Sequence, residues 1–154
     1  MALSAYQDAI AMLARRELSE AQLRVRLSRR AHEAGEIDAA LARLRETGQI
    51  DDARTAGAIA RRETNRRRGR LRVRQQLAAA GIASGIAERA LEEVFEQVDA
   101  DAMLEALIEK KLAGRPLIED RREFARLYRH LTAQGFESER VLRALRSRQG
   151  SNHA

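Results

Sequence analysis

Eight arginines fall in one short run: Arg61, Arg62, Arg66, Arg67, Arg68, Arg70, Arg72 and Arg74. Glu63 is the one acid among them, so the run carries +7. Guanidinium groups at this density suit phosphates or acidic protein surface, which they grip through charge-assisted hydrogen bonds. A merely solvated basic face is the plain alternative, and the scarcity of interleaved acids argues against it. No aromatic residue lies in the run to stack on bases. No reading set of Asn, Gln and Arg stands clear of the competing arginines. The run therefore points to an anionic partner and leaves its kind open.

Other chemistry is sparse. The histidines, His32, His130 and His153, are far apart and read as having no His or acid at ligand spacing beside them. His130 precedes Leu131 in a helical pattern and reads as a boundary residue. There is no cysteine, which excludes disulfides, thiol catalysis and thiolate-held zinc. Asp51 and Asp52 precede a long helical pattern and read as a cap and a dipole partner, not a catalytic pair. Ser19 and Ser84 sit where caps belong. No phosphate-binding glycine loop or nucleophile elbow is present. The expectation is a binding protein with no catalytic residue, no metal and no cofactor.

The net charge is +6. Arginine outnumbers lysine 27 to 2; a GC-rich coding bias accounts for that ratio, though not for the clustering. From Glu92 to Glu109 there are seven acids and no base. The chain is thus polarised, basic at its centre and acidic soon after, which favours steering toward an anionic partner.

The elements that must position the arginines repeat. Leu27 to Leu41, Leu77 to Leu91 and Leu131 to Leu145 share one spacing, and each later leucine follows an alanine. Leu23, Val73 and Leu127 stand four residues before the first leucines, which is one face of a helix. Gly81 and Gly135 follow four residues after Leu77 and Leu131, where a helix stops on a left-handed residue; the first copy has a looser joint around Gly35. Leu23-Arg-Val-Arg26 and Leu71-Arg-Val-Arg74 are identical but fall out of this register, so the identity reads as chance.

The spacing predicts an all-α chain of nine helices in three tandem helix-turn-helix-like repeats, over 1–48, 49–97 and 98–147, with a disordered tail at 148–154. Ser19 to Gln22 and Asp120 to Glu123 have the capping-box pattern, and a helix over about 52–66 ends in the arginine run. An elongated, curved, monomeric array is expected. Without a basic leader or an apolar run long enough to span a bilayer, the chain reads as cytoplasmic.

Taken together, residues 5–146 resemble the RecX family, bacterial regulators of the RecA recombinase. The most telling residues are Gly48-Gln-Ile50-Asp51-Asp52, Ala56 and the basic pair at 61 and 62. Gly69, Leu77 and Gly81-Ile82 follow in order, then Gly135-Phe136, Val141 and Leu145. The family usually has an aromatic residue where this chain has Thr55, which implies altered packing of that helix. The resemblance implies a protein that lies in the groove of the RecA–single-stranded-DNA filament and blocks its extension. ATP hydrolysis, strand exchange and co-protease activity would fall. Arg61 to Arg74 would be the anchor, with weak direct DNA binding beside it. The other readings are a helix-turn-helix protein acting directly on DNA and a helical adaptor for a different acidic protein.

Overall fold

The computed structural model describes residues 2–150. Among them are nine helices: α1 Ala5–Arg15, α2 Glu20–Arg29, α3 Ala34–Glu46, α4 Asp52–Asn65, α5 Arg70–Ala79, α6 Ser84–Glu96, α7 Ala100–Leu112, α8 Arg121–Ala133 and α9 Ser138–Arg146. The fold is all-α, as expected. Its backbone forms two compact units, one of residues 1–59 with 76–90, the other of 60–75 with 91–154. Helices α4, α5 and α6 each contribute residues to both.

All six repeat leucines, Leu27, Leu41, Leu77, Leu91, Leu131 and Leu145, are fully buried. Leu23 and Val73, one helical turn before their leucines, are fully buried too, and Leu127 is nearly so. Val25 and Leu71, by contrast, are exposed at 48% and 39%. The leucine register therefore governs burial, and the shared tetrapeptide is coincidental.

Each repeat turn closes with the same two hydrogen bonds. The amides of His32, Ile82 and Phe136 donate to the carbonyls of Leu27, Leu77 and Leu131 at 3.3, 3.1 and 3.3 Å. The preceding amides, of Ala31, Gly81 and Gly135, donate to Ser28, Ala78 and Thr132 at 3.0, 2.9 and 3.0 Å. This is the Schellman closure, with its left-handed residue at φ 65°, 74° and 102° in turn. The first joint is thus at Ala31 rather than near Gly35, which lies inside the first turn of α3. The hydrogen-bond pair holds alanine in a conformation that costs an L-residue roughly 1–2 kcal/mol.

In the first unit, Leu18, Leu23, Leu27, Ile37, Leu41, Leu44 and Ile50 form the core, with Tyr6, Ile10 and Leu13 of α1 against it. Ser4 and Ser19 make full capping boxes with Gln7 and Gln22. Asp51 caps α4, accepting from the Arg54 amide at 3.2 Å. Asp52 serves a different helix, accepting the Glu20 amide at the start of α2 at 2.9 Å. Arg54 gathers the junction. Its Nε donates to Glu17 Oε1 at 2.6 Å, and its terminal nitrogens donate to the Gly48 and Gln49 carbonyls at 3.0 and 3.2 Å. The Gly48–Asp52 motif is therefore a structural joint.

Contrary to the expectation from sequence, acids do stand beside one histidine. His32 takes the place held by Ile82 and Phe136 in the other turns, and its Nε2 lies 2.5 Å from Asp8 Oδ2. Glu36, one helical turn on, is 3.8 Å from its Nδ1. A half-buried imidazole at this place needs a partner, and Asp8 on α1 supplies it.

In the second unit, Leu104, Ile108, Leu112, Ile118, Leu127, Leu131, Phe136, Val141 and Leu145 form the core. Asp120 caps α8, accepting from the Glu123 amide at 2.9 Å. Glu123 does not reciprocate toward Asp120. Its buried carboxylate accepts from the Glu119 amide at 2.8 Å and pairs with Arg115 through both oxygens. The Arg115 hydrogen bond, then the Glu119 amide, hold its pKa below the usual glutamate value. Arg148 and Gln149, placed in a disordered tail by the sequence, are engaged. The Ile118 amide donates to the Arg148 carbonyl at 2.8 Å, and Arg148 pairs with Glu105 at 3.0 Å and also with Glu109. The rest of that expected tail, 151–154 with His153, lies outside the described residues.

Candidate functional site

The arginine run spans the end of α4, the α4–α5 turn and the start of α5. Helix α4 closes with a further Schellman pair: the Arg68 amide donates to the Glu63 carbonyl at 3.1 Å and the Arg67 amide to Thr64 at 2.9 Å. Arg67 is the left-handed residue, at φ 61°. An arginine there bears the same L-residue cost as Ala31.

Helix α5 starts against the α8–α9 turn of its own unit. The Gly69 amide donates to the Gln134 carbonyl at 2.8 Å and the Leu71 amide to the Gly135 carbonyl at 3.0 Å. Those bonds satisfy donors that a helix start leaves open. They require contact so close that a Cβ on Gly69 would lie 2.5 Å from the Gly135 carbonyl carbon, and a Cβ on Gly135 would overlap Arg72. The pairing of these two glycines sets where the arginines stand.

The eight arginines divide. Arg68 and Arg72 are half-buried and reach the same turn, Arg68 to Gln134 Oε1 and Arg72 to the Ala133 carbonyl at 3.1 Å. Arg70 and Arg74 are half-buried and interact within the protein, Arg70 lying 5.8 Å from the Phe95 ring centre. Arg61, Arg62, Arg66 and Arg67 are exposed. Glu63, by contrast, is buried, with Arg62, Arg66 and Arg68 at 3.6, 3.9 and 3.9 Å from its carboxylate. Such spacings exceed a hydrogen bond and leave the exposed Arg62 and Arg66 donors open to a partner. The four exposed arginines with Glu63 carry +3.

The acidic stretch is partly consumed inside the second unit. Glu105 and Glu109 hold Arg148, Asp101 pairs with Arg140 at 2.9 Å, and Asp99 caps α7. His130 is half-buried; burial first, then the charges of Lys111 and Arg68, lower its pKa. Ser19 caps as read, whereas Ser84 is the first residue of α6. Among the described residues no group of three or more His, Asp or Glu is placed to hold a metal. No helix among them is long and apolar enough to cross a membrane.

The chain is similar to known proteins over most of its length. Residues 5–44 match the family model described as RecX, first three-helix domain, and residues 51–91 match RecX, second three-helix domain. Regulatory protein RecX of Chromohalobacter salexigens is 34% identical over 139 residues, covering 90% of this chain and 88% of that one. Regulatory protein RecX of Vibrio cholerae is 37% identical over 141 residues, covering 92% and 91%. The crystal structure of RecX from Lactobacillus salivarius shares the fold, with a TM-score of 0.79 at 19% identity over 92% of each chain. A second crystal structure, of a regulatory protein RecX, gives 0.73 at 23% identity over 92% of this chain and 70% of the other. With both family models matched and relatives above 30% identity along nearly the whole chain, this protein belongs to the RecX family of regulatory proteins.

Proposed function

We propose that the chain is a negative regulator of RecA, acting as a binding protein rather than an enzyme. It binds in the groove of the RecA–single-stranded-DNA filament, stops extension, and so lowers ATP hydrolysis, strand exchange and co-protease activity. It acts as a monomer in the cytoplasm, through three three-helix repeats over 1–48, 49–97 and 98–147. Family membership supports the choice of partner. The observation that carries the contact is the exposed group Arg61, Arg62, Arg66 and Arg67, whose one nearby acid, Glu63, is buried. Of the eight arginines read as the anchor, these four make the primary contact, and Arg68, Arg70, Arg72 and Arg74 hold or flank it.

The test is binding of the full chain to preformed RecA filaments on labelled single-stranded DNA, followed by anisotropy at two salt concentrations. Replacing Arg61, Arg62, Arg66 and Arg67 with Gln is expected to weaken binding about tenfold or more and to flatten its salt dependence. The fold should persist, with the thermal midpoint lowered by a few degrees at most, because the four side chains are exposed and Arg68 stays beside the buried Glu63. Equal binding by the variant would refute this contact. Tight binding to duplex DNA without RecA, lost in the same variant, would favour direct action on DNA.

A further inference from the structure

A second arginine cluster lies in the unit of residues 1–59 and 76–90. The last turns of α1 and α2 line a cleft of about 380 Å³. Five arginines reach it: Arg15 and Arg16 from the end of α1, and Arg26, Arg29 and Arg30 from the end of α2. Asp8 is the one acid in its lining; it is buried and already engaged, with Arg30 at 3.1 Å and with His32. Arg15, Arg16, Arg26 and Arg29 are exposed and have no carboxylate partner among the described residues.

Helix ends explain some of this charge. Each C-terminus is matched by roughly half a unit of positive charge. Two helix ends and one carboxylate together balance about two of the five guanidiniums, which leaves a surplus of about +3 in one concave surface. Such a surplus is a cost to the free protein that an anionic partner relieves.

The neighbouring surface says what kind of anion. Arg26 and Arg29 also border a groove of about 370 Å³ whose other lining includes Ala21, Val25, Ala79, Ala80 and Gly81. Val25 stands 48% exposed in it, and Leu3, in the arginine cleft, is 50% exposed. The groove walls are fixed. The Ser19 hydroxyl donates to the Ala80 carbonyl, and a Cβ on Gly81 would collide with that of Ala21. No aromatic residue lines either depression, so nothing there stacks on a base.

We propose that this surface of α2 docks an acidic amphipathic polypeptide segment. Its aliphatic side chain lies in the Val25 groove and its carboxylates meet Arg15, Arg16, Arg26 and Arg29. An apolar slot bordered by unpaired guanidiniums is the complement of a helix with leucine on one face and glutamate beside it. The proposal uses none of the arginines at 61–67, so it stands or falls apart from the RecA reading.

The test uses the full chain and fluorescein-labelled synthetic probes in anisotropy titrations. The probes are a helical peptide of Glu with Leu at i, i+4 spacing, a Glu/Gly peptide of equal charge, and oligothymidylate. The Glu/Leu peptide is expected to bind at least tenfold more tightly than either other probe. Val25→Asp alone, and Arg26→Gln with Arg29→Gln, should each weaken it about tenfold. Each variant alters exposed side chains only, so either serves if the other misfolds. Tighter binding of oligothymidylate, unmoved by Val25→Asp, would make this a nucleic-acid surface and overturn the proposal. So would a Glu/Leu peptide that does not bind, or that binds both variants as well as the parent chain.

Discussion

Thr55 is 3% exposed, and its hydroxyl has no hydrogen-bond partner among the described residues. The resemblance marked this position as one of altered packing, and the structure places a buried hydroxyl there. A buried hydroxyl without a partner costs about 1–3 kcal/mol. Thr55→Val keeps the shape and removes the polar atom. Urea unfolding should show the variant more stable by about 1 kcal/mol; equal or lower stability would mean the hydroxyl is satisfied. Other residue-scale facts were not legible. That Asp51 caps α4 follows from its place in the chain. That Asp52 caps α2, that Arg54 binds Glu17, and that Asp8 meets His32 depend on residues brought together from distant parts of the sequence. No local pattern encodes those pairs.

At the scale of elements, the leucine spacing placed α2, α3, α5, α6, α8 and α9 and their buried faces. Periodicity reads well here because each repeat leucine is buried on one face. The turns were legible where glycine marks them, at Gly81 and Gly135, and misread at Ala31, where an alanine adopts the same left-handed geometry. The closeness of the Gly69–Gly135 contact was also hidden, since nothing local links glycines in two turns so far apart in the sequence. The glycines are not equal in consequence. Gly48, at φ 73°, has open space around it, so Gly48→Ala should cost only the left-handed strain, about 1 kcal/mol. Gly135→Ala adds overlap with Arg72 to the same strain and should cost about 3 kcal/mol. Chemical unfolding of the two variants side by side checks this. Equal losses would show that the α8–α9 turn is free to move away from α5.

At the scale of the whole molecule, charge is what links fold to function. The sequence located the basic run and its imbalance of sign but counted all eight arginines alike. The structure separates those that hold the α8–α9 turn, Arg68 and Arg72, from Arg61, Arg62, Arg66 and Arg67, which face solvent. The division was invisible in composition because both groups are the same residue type in the same run. Only the backbone position of each, before or after the Arg67 turn, decides whether it meets Gln134 and Ala133 or water. A family of regulatory proteins, a helical scaffold and an exposed cationic face together support action on an anionic assembly.

The most direct measurement is the rate of ATP hydrolysis by RecA on single-stranded DNA as this protein is titrated in. Regulation through the filament predicts a steep fall at well below one copy per RecA protomer, since one bound copy stops the growth of many. A rate that holds until the protein saturates the DNA would mean simple competition for phosphates and would contradict the account.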